Sequence, residues 1–385
     1  MTSKINVLQV IPKLGYGGAE TGCYDIAHYL AEKDCGSFIA TSGGELLKFV
    51  KKNKVGIFRI PVHSKNPILI ILNAFLLSFI ILIKKINIVH ARSRAPAWSC
   101  YLACILTNVN FVTTFHGTYN FKSKIKKIYN SVMLRSKLTI AGSNFIFGHI
   151  NENYEEYLSK KKKLRVIFRG INVDYFNQKN ISILKREKLK KIWNLEENKF
   201  TILMPGRLTY WKGQEKFIEA LNILKEDYNY TDFQAILLGS AQGRKVYLKK
   251  LYSLVERYSL SKKLRFINHC KEMPLAYSLA DVVVSASIEP EAFGRVAVES
   301  QSMAKPIIAS NIGGSKETIL NKKSGFLYKH DDPRDLAKNI NTVIQLNQEE
   351  LKLMGNEGRK NVTKKFDVEA MCDSNLREYK KLLKN

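Results

Sequence analysis

The chain lacks the residue groupings that announce metals, redox chemistry and export. Its six cysteines, at 23, 35, 100, 104, 270 and 372, form no Cys-x-x-Cys or Cys/His spacing. That excludes a zinc-ribbon site and a disulfide scaffold, and predicts free, mostly buried thiols in a reducing compartment. No carboxylate cluster of magnesium-binding character accompanies the motifs below, so no metal is expected. Met1 runs almost directly into a strand-like stretch over 5–11 without a small-residue cleavage site, so no signal peptide is expected. No internal repeat is apparent. Acidic residues are scarce: 34 Asp+Glu face 62 Lys+Arg, a formal net charge of +28. Such a charge implies anionic company, either nucleic acid, an anionic membrane surface or phosphorylated ligands, unless it reflects only a lysine-rich proteome.

Long apolar runs are also missing, with one near-exception. Residues 68–83 are broken only by Asn73, Ala74 and Ser78 and are followed by Lys84-Lys85. A membrane span needs about 20 apolar residues, so this run is short. It reads first as a helix buried in the first domain ahead of a core strand. The second reading is a helix lying in the membrane interface with lysines at its end.

What is present is a globular composition, 45% apolar over 385 residues, enough for two domains. Short β-branched runs alternate with amphipathic stretches, the pattern of parallel sheets with crossover helices. Strands are predicted over 5–11, 37–41, 56–60, 87–90, 111–115, 138–141 and 166–169, then over 200–205, 234–238, 264–267, 281–285, 306–309 and 325–328. The lysine-rich stretch 179–199 carries no strand signal and reads as a linker. This divides the chain into a domain over 1–178, a linker over 179–199, a domain over 200–367 and a terminal helix over 368–385.

The densest chemistry follows the strand at 281–285. Glu291 and Glu299 stand eight residues apart, with Phe293-Gly294-Arg295 between them at a helix start. Backbone N–H groups there are free to meet an anion, while carboxylates bind sugar or ribose hydroxyls. The carboxyl end of a parallel strand is also where ligands sit. Beyond the strand at 200–205, Arg207 and Lys212 are placed to clamp a diphosphate, one as a fork and one as a point charge. In the first half, Gly15-Tyr16-Gly17-Gly18-Ala19-Glu20 opens a helix after the first strand. Glu20 takes the place of the third glycine of a dinucleotide fingerprint, which argues against NAD. His116, just past the strand at 111–115, reads equally as a structural residue or a functional one. Arg92 and Arg94 follow the strand at 87–90 and suit either an acidic acceptor or a salt-bridged loop. Basic runs at 122–127, 160–165 and 185–191 read as solvated faces or linker charge, the first being the candidate for membrane docking.

Together these residues resemble glycosyltransferase family 4, the retaining GT-B enzymes. The carriers are Glu291 and Glu299, Arg207 and Lys212, Gly17-Gly18-Ala19-Glu20, Gly170-Ile171-Asn172-Val173-Asp174 and Gly313-Gly314-Ser315-Lys316-Glu317, in order along nearly the whole chain. Residues 90–98, 207–214, 242–244 and 290–299 extend the resemblance toward alphaproteobacterial lipopolysaccharide core mannosyltransferases.

The resemblance implies two Rossmann-like α/β domains with parallel sheets facing across a cleft, and transfer of a hexose with retention and without a metal or other cofactor. Arg207 and Lys212 would hold the donor diphosphate, Glu299 the ribose, and Glu291 the transferred sugar together with the backbone of Phe293, Gly294 and Arg295. Gly17 and Gly18 would approach the diphosphate, His116 the sugar, and Arg92, Arg94 and Tyr119 the acceptor. The implied partners are a nucleotide-sugar, best GDP-mannose, a lipid-linked anionic glycan of the lipopolysaccharide inner core, and the cytoplasmic face of the inner membrane. UDP-hexose or UDP-N-acetylhexosamine donors are the close alternative. A non-catalytic scaffold and a nucleic-acid-binding protein are the rivals from other classes. No nucleic-acid partner is expected, because no binding module and few aromatics interleave with the basic runs.

Overall fold

Parallel strands buried on both sides are largely apolar, and runs such as Val282–Ser285 and Ile307–Ser310 are buried at every residue. A computed structural model describes residues 4–158 and 163–384 of the chain. They fall into two units, 1–170 with 368–385, and 171–367.

The first unit holds strands β1 (Asn6–Val10), β2 (Gly36–Thr41), β3 (Gly56–Arg59), β4 (Ile88–Ala91), β5 (Asn110–Phe115), β6 (Leu138–Ala141) and β7 (Lys163–Val166). They form one sheet in the order β3-β2-β1-β4-β5-β6-β7, every pairing parallel. Its helices are α1 (Gly18–Glu32), α2 (Pro67–Ile83), α3 (Arg94–Thr107), α4 (Lys124–Ser131) and α5 (Asn144–Tyr154). Against one face, Ile26 and Leu30 of α1 meet Met371 and Leu376 of the C-terminal helix Val368–Lys384 over Val7, Ile88 and Val112. Right-handed crossovers put α2 and α3, which pack on each other, over the opposite face.

The second unit holds β8 (Phe200–Pro205), β9 (Phe233–Leu238), β10 (Leu264–Ile267), β11 (Val282–Ser285), β12 (Ile307–Ser310) and β13 (Gly325–Tyr328), in the order β10-β9-β8-β11-β12-β13. Around this parallel sheet lie α6 (Ile183–Ile192), α7 (Gln214–Glu226), α8 (Lys245–Arg257), α9 (Met273–Ser278), α10 (Arg295–Ser302), α11 (Ser315–Thr318), α12 (Pro333–Ile344) and α13 (Gln348–Lys365). Both units are Rossmann-like, and each reverses its strand order once, at β1/β4 and at β8/β11. The carboxyl ends of strands at such a reversal splay their loops and leave room for a ligand.

Four expectations are corrected. The seventh strand runs over Lys163–Val166, not 166–169, because its register sets Lys163 to Val166 beside Leu138 to Ala141 and the bond from the Ile167 N–H to the Ala141 carbonyl ends the pairing; Lys160, Lys161 and Lys162 of the basic run lie outside the described residues. The stretch 179–199 is not a linker. α6 belongs to the second unit, with Lys185 paired to Glu272 at 2.9 Å, Arg186 donating to the Ser278 carbonyl at 3.5 Å, and Trp193 buried. The boundary falls at 170/171 rather than 178, since the Ile171 N–H bonds the Phe366 carbonyl and the Phe176 carbonyl accepts from Ser302 and Arg359. The fourth concerns α2, whose apolar residues pack inward on one stripe only, at Ala74, Leu77 and Ile81, while Phe75 and Phe79 are 61% and 64% exposed.

The C-terminal helix is tied in by a buried polar chain. His90 Nδ1 lies 2.6 Å from the Tyr379 hydroxyl and Nε2 lies 2.7 Å from Thr114 Oγ1. Burial, with Arg92 and His116 adding, holds the His90 imidazole well below its ordinary pKa. Tyr379→Phe leaves a buried ring nitrogen unpaired, so a loss of about 1–3 kcal/mol is expected in urea unfolding followed by circular dichroism.

Candidate functional site

In the second unit the strand reversal brings together two loops, 206–213 after β8 and 286–294 after β11. Their approach is close enough to need glycine. Gly213 has φ +73°, and a Cβ there would stand 1.9 Å from the Ala286 carbonyl oxygen. The Ile288 N–H bonds the Trp211 carbonyl at 2.9 Å, which fixes one loop on the other. A third loop, after β12, joins them: the Gly314 N–H bonds the Glu291 carbonyl at 2.7 Å.

The result is a buried ion pair between residues far apart in sequence. Lys212 Nζ donates to Glu291 Oε1 at 2.6 Å, and Ser287 Oγ donates to the same oxygen at 2.5 Å. Burial alone would raise the Glu291 pKa, but Lys212 and the hydroxyls of Ser287 and Ser285 outweigh it, and the carboxyl sits below its usual range. The Lys212 ammonium also lies 4.5 Å from the Trp211 ring centroid. The Arg207 side chain is exposed, with no ion-pair or hydrogen-bond partner among the described residues, while its backbone carbonyl accepts from Gln214 Nε2 at 2.9 Å. The expected clamp is therefore one exposed cation and one cation already bound to Glu291.

One turn along α10, Glu299 forms the other acidic anchor. It is 6% exposed, accepts from Arg295 Nε at 2.5 Å on Oε1, and accepts from the Tyr277 hydroxyl at 2.8 Å on Oε2. Burial, and then Glu299 itself, push the Tyr277 hydroxyl well above its ordinary pKa, so it remains a donor. Gly294 caps α10 at φ +82° with its Cβ position 2.7 Å from Ser315 Oγ. Phe293 packs inward on Phe366, 5.6 Å between rings, leaving only its backbone to the site. The first N–H groups of α10 lie outside its hydrogen-bond ladder, next to the acidic pair.

In the first unit the same strand-end logic gathers a second set. Gly17 caps α1, and a Cβ on Gly18 would lie 2.8 Å from Arg169 Nη1. Both ring nitrogens of His116 are buried without a hydrogen bond. Burial, then Arg169 and Arg92, hold that imidazole neutral, well below its usual pKa. A neutral imidazole with orphaned nitrogens can both donate to and accept from a hydroxyl. Arg92 does not face outward as an acidic acceptor would require. It is 4% exposed and donates to Gln9 Oε1 at 2.5 Å, because residue 92 leaves β4 alongside β1. Arg94 stacks 4.3 Å over the Tyr119 ring and donates to Asn130 Oδ1 at 2.9 Å, so these two expected residues do meet.

Sequence reasoning missed Arg169, Tyr277, Ser287 and Ser315. Arg169 carried a signal, a cation near the carboxyl end of a strand and immediately before Gly170; a tyrosine inside a short apolar helix carried none. Among the described residues, no three His, Cys, Asp or Glu side chains form a metal-binding group.

The Glu291 shift sets a pH test. A carboxyl whose folded pKa is lowered adds stability that is complete above its ordinary value of 4.5 and is lost as the pH falls through the folded value. Wild-type protein is therefore expected to lose more stability than Glu291→Gln on acidification below pH 4.5, read as the difference in their melting temperatures.

Comparison with known proteins agrees with the fold. A family model described as Glycosyl transferases group 1 matches residues 185–361, and one described as Glycosyltransferase Family 4 matches residues 16–175. A glycosyltransferase from Rickettsia africae ESF-5, solved by crystallography, is 38% identical, covers 100% of both chains and has a TM-score of 0.91. Anabaena Alr3699/HepE, solved in complex with UDP-glucose, shares the fold with a TM-score of 0.82 at 21% identity, over 98% of this chain and 100% of that one. Spore coat protein SA of Bacillus subtilis (strain 168) is 24% identical over 307 residues, 77% of this chain and 79% of that protein. With both halves matched and full-length likeness at 38% identity, the chain belongs to glycosyltransferase family 4 and is a glycosyltransferase of GT-B fold.

Proposed function

We propose that the protein transfers a hexose from a nucleotide-sugar to a lipid-linked envelope glycan with retention of configuration and without a metal. The observation that carries this reading is the buried Lys212–Glu291 pair beside Glu299 at the β8/β11 reversal. A donor diphosphate competes with Glu291 for the Lys212 ammonium, and Arg207 adds a second, exposed cation. Once released, the Glu291 carboxylate accepts from a sugar hydroxyl, and Glu299 binds the ribose. Charge building on the departing phosphate is then met by two cations, work that a metal does in other enzymes. The bond from the sugar's anomeric carbon to the phosphate breaks as the acceptor oxygen bonds to the same face. The acceptor hydroxyl's proton passes to the leaving phosphate oxygen.

The donor proposed first is GDP-mannose and the acceptor the lipopolysaccharide inner core, which follow from the local motif resemblance. A UDP-hexose donor is the second reading, supported by the similarity to HepE structures holding UDP and glucose. The lipid-linked acceptor and the +28 charge support a peripheral position on the anionic cytoplasmic face of the inner membrane. No helix among the described residues is long and apolar enough to cross a membrane.

The test is incubation of the full chain with Kdo-bearing lipid A and a panel of nucleotide-sugars, with and without EDTA. Mannose transfer that survives EDTA is the expected result. Glu299→Ala and Arg207→Ala are each expected to lower kcat/KM by about 100-fold or more with an unchanged circular dichroism spectrum. Transfer only from UDP-sugars selects the second reading, and full activity in either variant overturns the site.

A further inference from the structure

The helix α2 has no charged residue between Pro67 and Ile83. Its apolar side chains divide into two stripes. Ala74, Leu77 and Ile81, at i, i+3 and i+7, are buried, whereas Ile68, Ile71, Leu72, Phe75, Phe79 and Leu82 are exposed along the outer side. The helix is firmly held on its inner side. Asn73 Nδ2 donates to the Pro61 carbonyl at 3.1 Å and Ser99 Oγ of α3 donates to the Ile70 carbonyl at 3.0 Å. On the neighbouring α3, Ile105 and Leu106 are also exposed, 59% and 60%.

Aliphatic and aromatic side chains on this scale are rare on a surface that only water meets. The charges around them identify what does meet them. Exposed Lys65 precedes α2 and exposed Lys84 and Lys85 follow it, with no acidic residue in either flank. The α4 segment repeats the combination on a smaller scale, Ile125 and Ile128 exposed among Lys122, Lys124 and Lys126. A second copy of a chain carrying +28 would bring like charge against like. The outer stripe also offers no polar side chain to set a register with a protein partner. An anionic bilayer satisfies both requirements, because acyl chains accept the stripe and headgroups accept the lysines.

We infer that α2 docks this protein on an anionic membrane, lying in the plane of the interface with its outer stripe among the acyl chains. At 17 residues it is about 25 Å long and is fixed along the sheet, so it lies on the bilayer and does not cross it. This inference rests on the lipid-linked acceptor proposed above, and it takes the second of the two readings given for residues 68–83, with the 122–127 run as a lesser contact.

The test uses the full chain with vesicles of phosphatidylcholine alone or in equal mixture with phosphatidylglycerol. Flotation with the anionic vesicles is expected, falling about tenfold or more in the double variant Phe75→Asp, Phe79→Asp. Both positions are exposed, so the melting temperature and hydrolysis of the nucleotide-sugar are expected to stay at wild-type values. Phe75→Trp is expected to be quenched by brominated lipid. Failure of wild-type protein to bind either vesicle, or undiminished binding by the double variant, overturns the inference. So does a wild-type dimer in light scattering that the double variant dissolves, which would assign the stripe to a second copy. Vesicle binding without transfer from any donor would keep α2 as the docking helix and reject the proposed activity.

Discussion

A charge removed from water must find its counter-charge close by, and in the second unit that requirement organises the site. Lys212 and Glu291, at 13% and 11% side-chain exposure, are each other's partner across 79 positions of sequence. Removing either leaves a buried charge uncompensated, which costs far more than the pair itself contributes. For the two side chains to meet, their loops must touch backbone to backbone. That contact is available only because Gly213, Gly313 and Gly314 present no Cβ toward the carbonyls of Ala286, Glu291 and Ala292. Glycine placement, loop docking and the ion pair are one device.

The same economy appears twice in the fold. Each sheet reverses its strand order once, and each reversal carries cations, glycines and a helix start at the carboxyl ends of its strands. In the first unit the elements are the start of α1, Arg169 and a neutral His116; in the second they are Lys212, Glu291 and the start of α10. Most buried polar groups at these points are paired, whereas both ring nitrogens of His116 have no hydrogen-bond partner. Elsewhere the buried polar groups do structural work. Arg92 joins β4 to β1 through Gln9, and His90 joins the C-terminal helix to the sheet through Tyr379.

The outer side of α2 stands apart from this pattern. A helix apolar all round is expected to be covered all round, yet here only the stripe toward α3 is covered. Lysines at both ends and an overall charge of +28 give the uncovered stripe a consistent electrostatic setting.

The sequence by itself determined the parallel α/β class, twelve of thirteen strand positions and the loops proposed above to carry the chemistry. Those features are local: a continuous apolar run makes a buried strand, and polar residues at its carboxyl end mark a ligand loop. Glu291, Glu299, Arg207 and Lys212 were legible as candidates for that reason. Tertiary structure alone decided that Lys212 is bound to Glu291, that Tyr277 serves Glu299, that Arg92 turns inward to Gln9, and that residues 171–199 belong to the second unit. It also decided which half of α2 is covered. Periodicity reports that a helix has an apolar side, but pairing and burial depend on which elements, distant in sequence, come to lie against it.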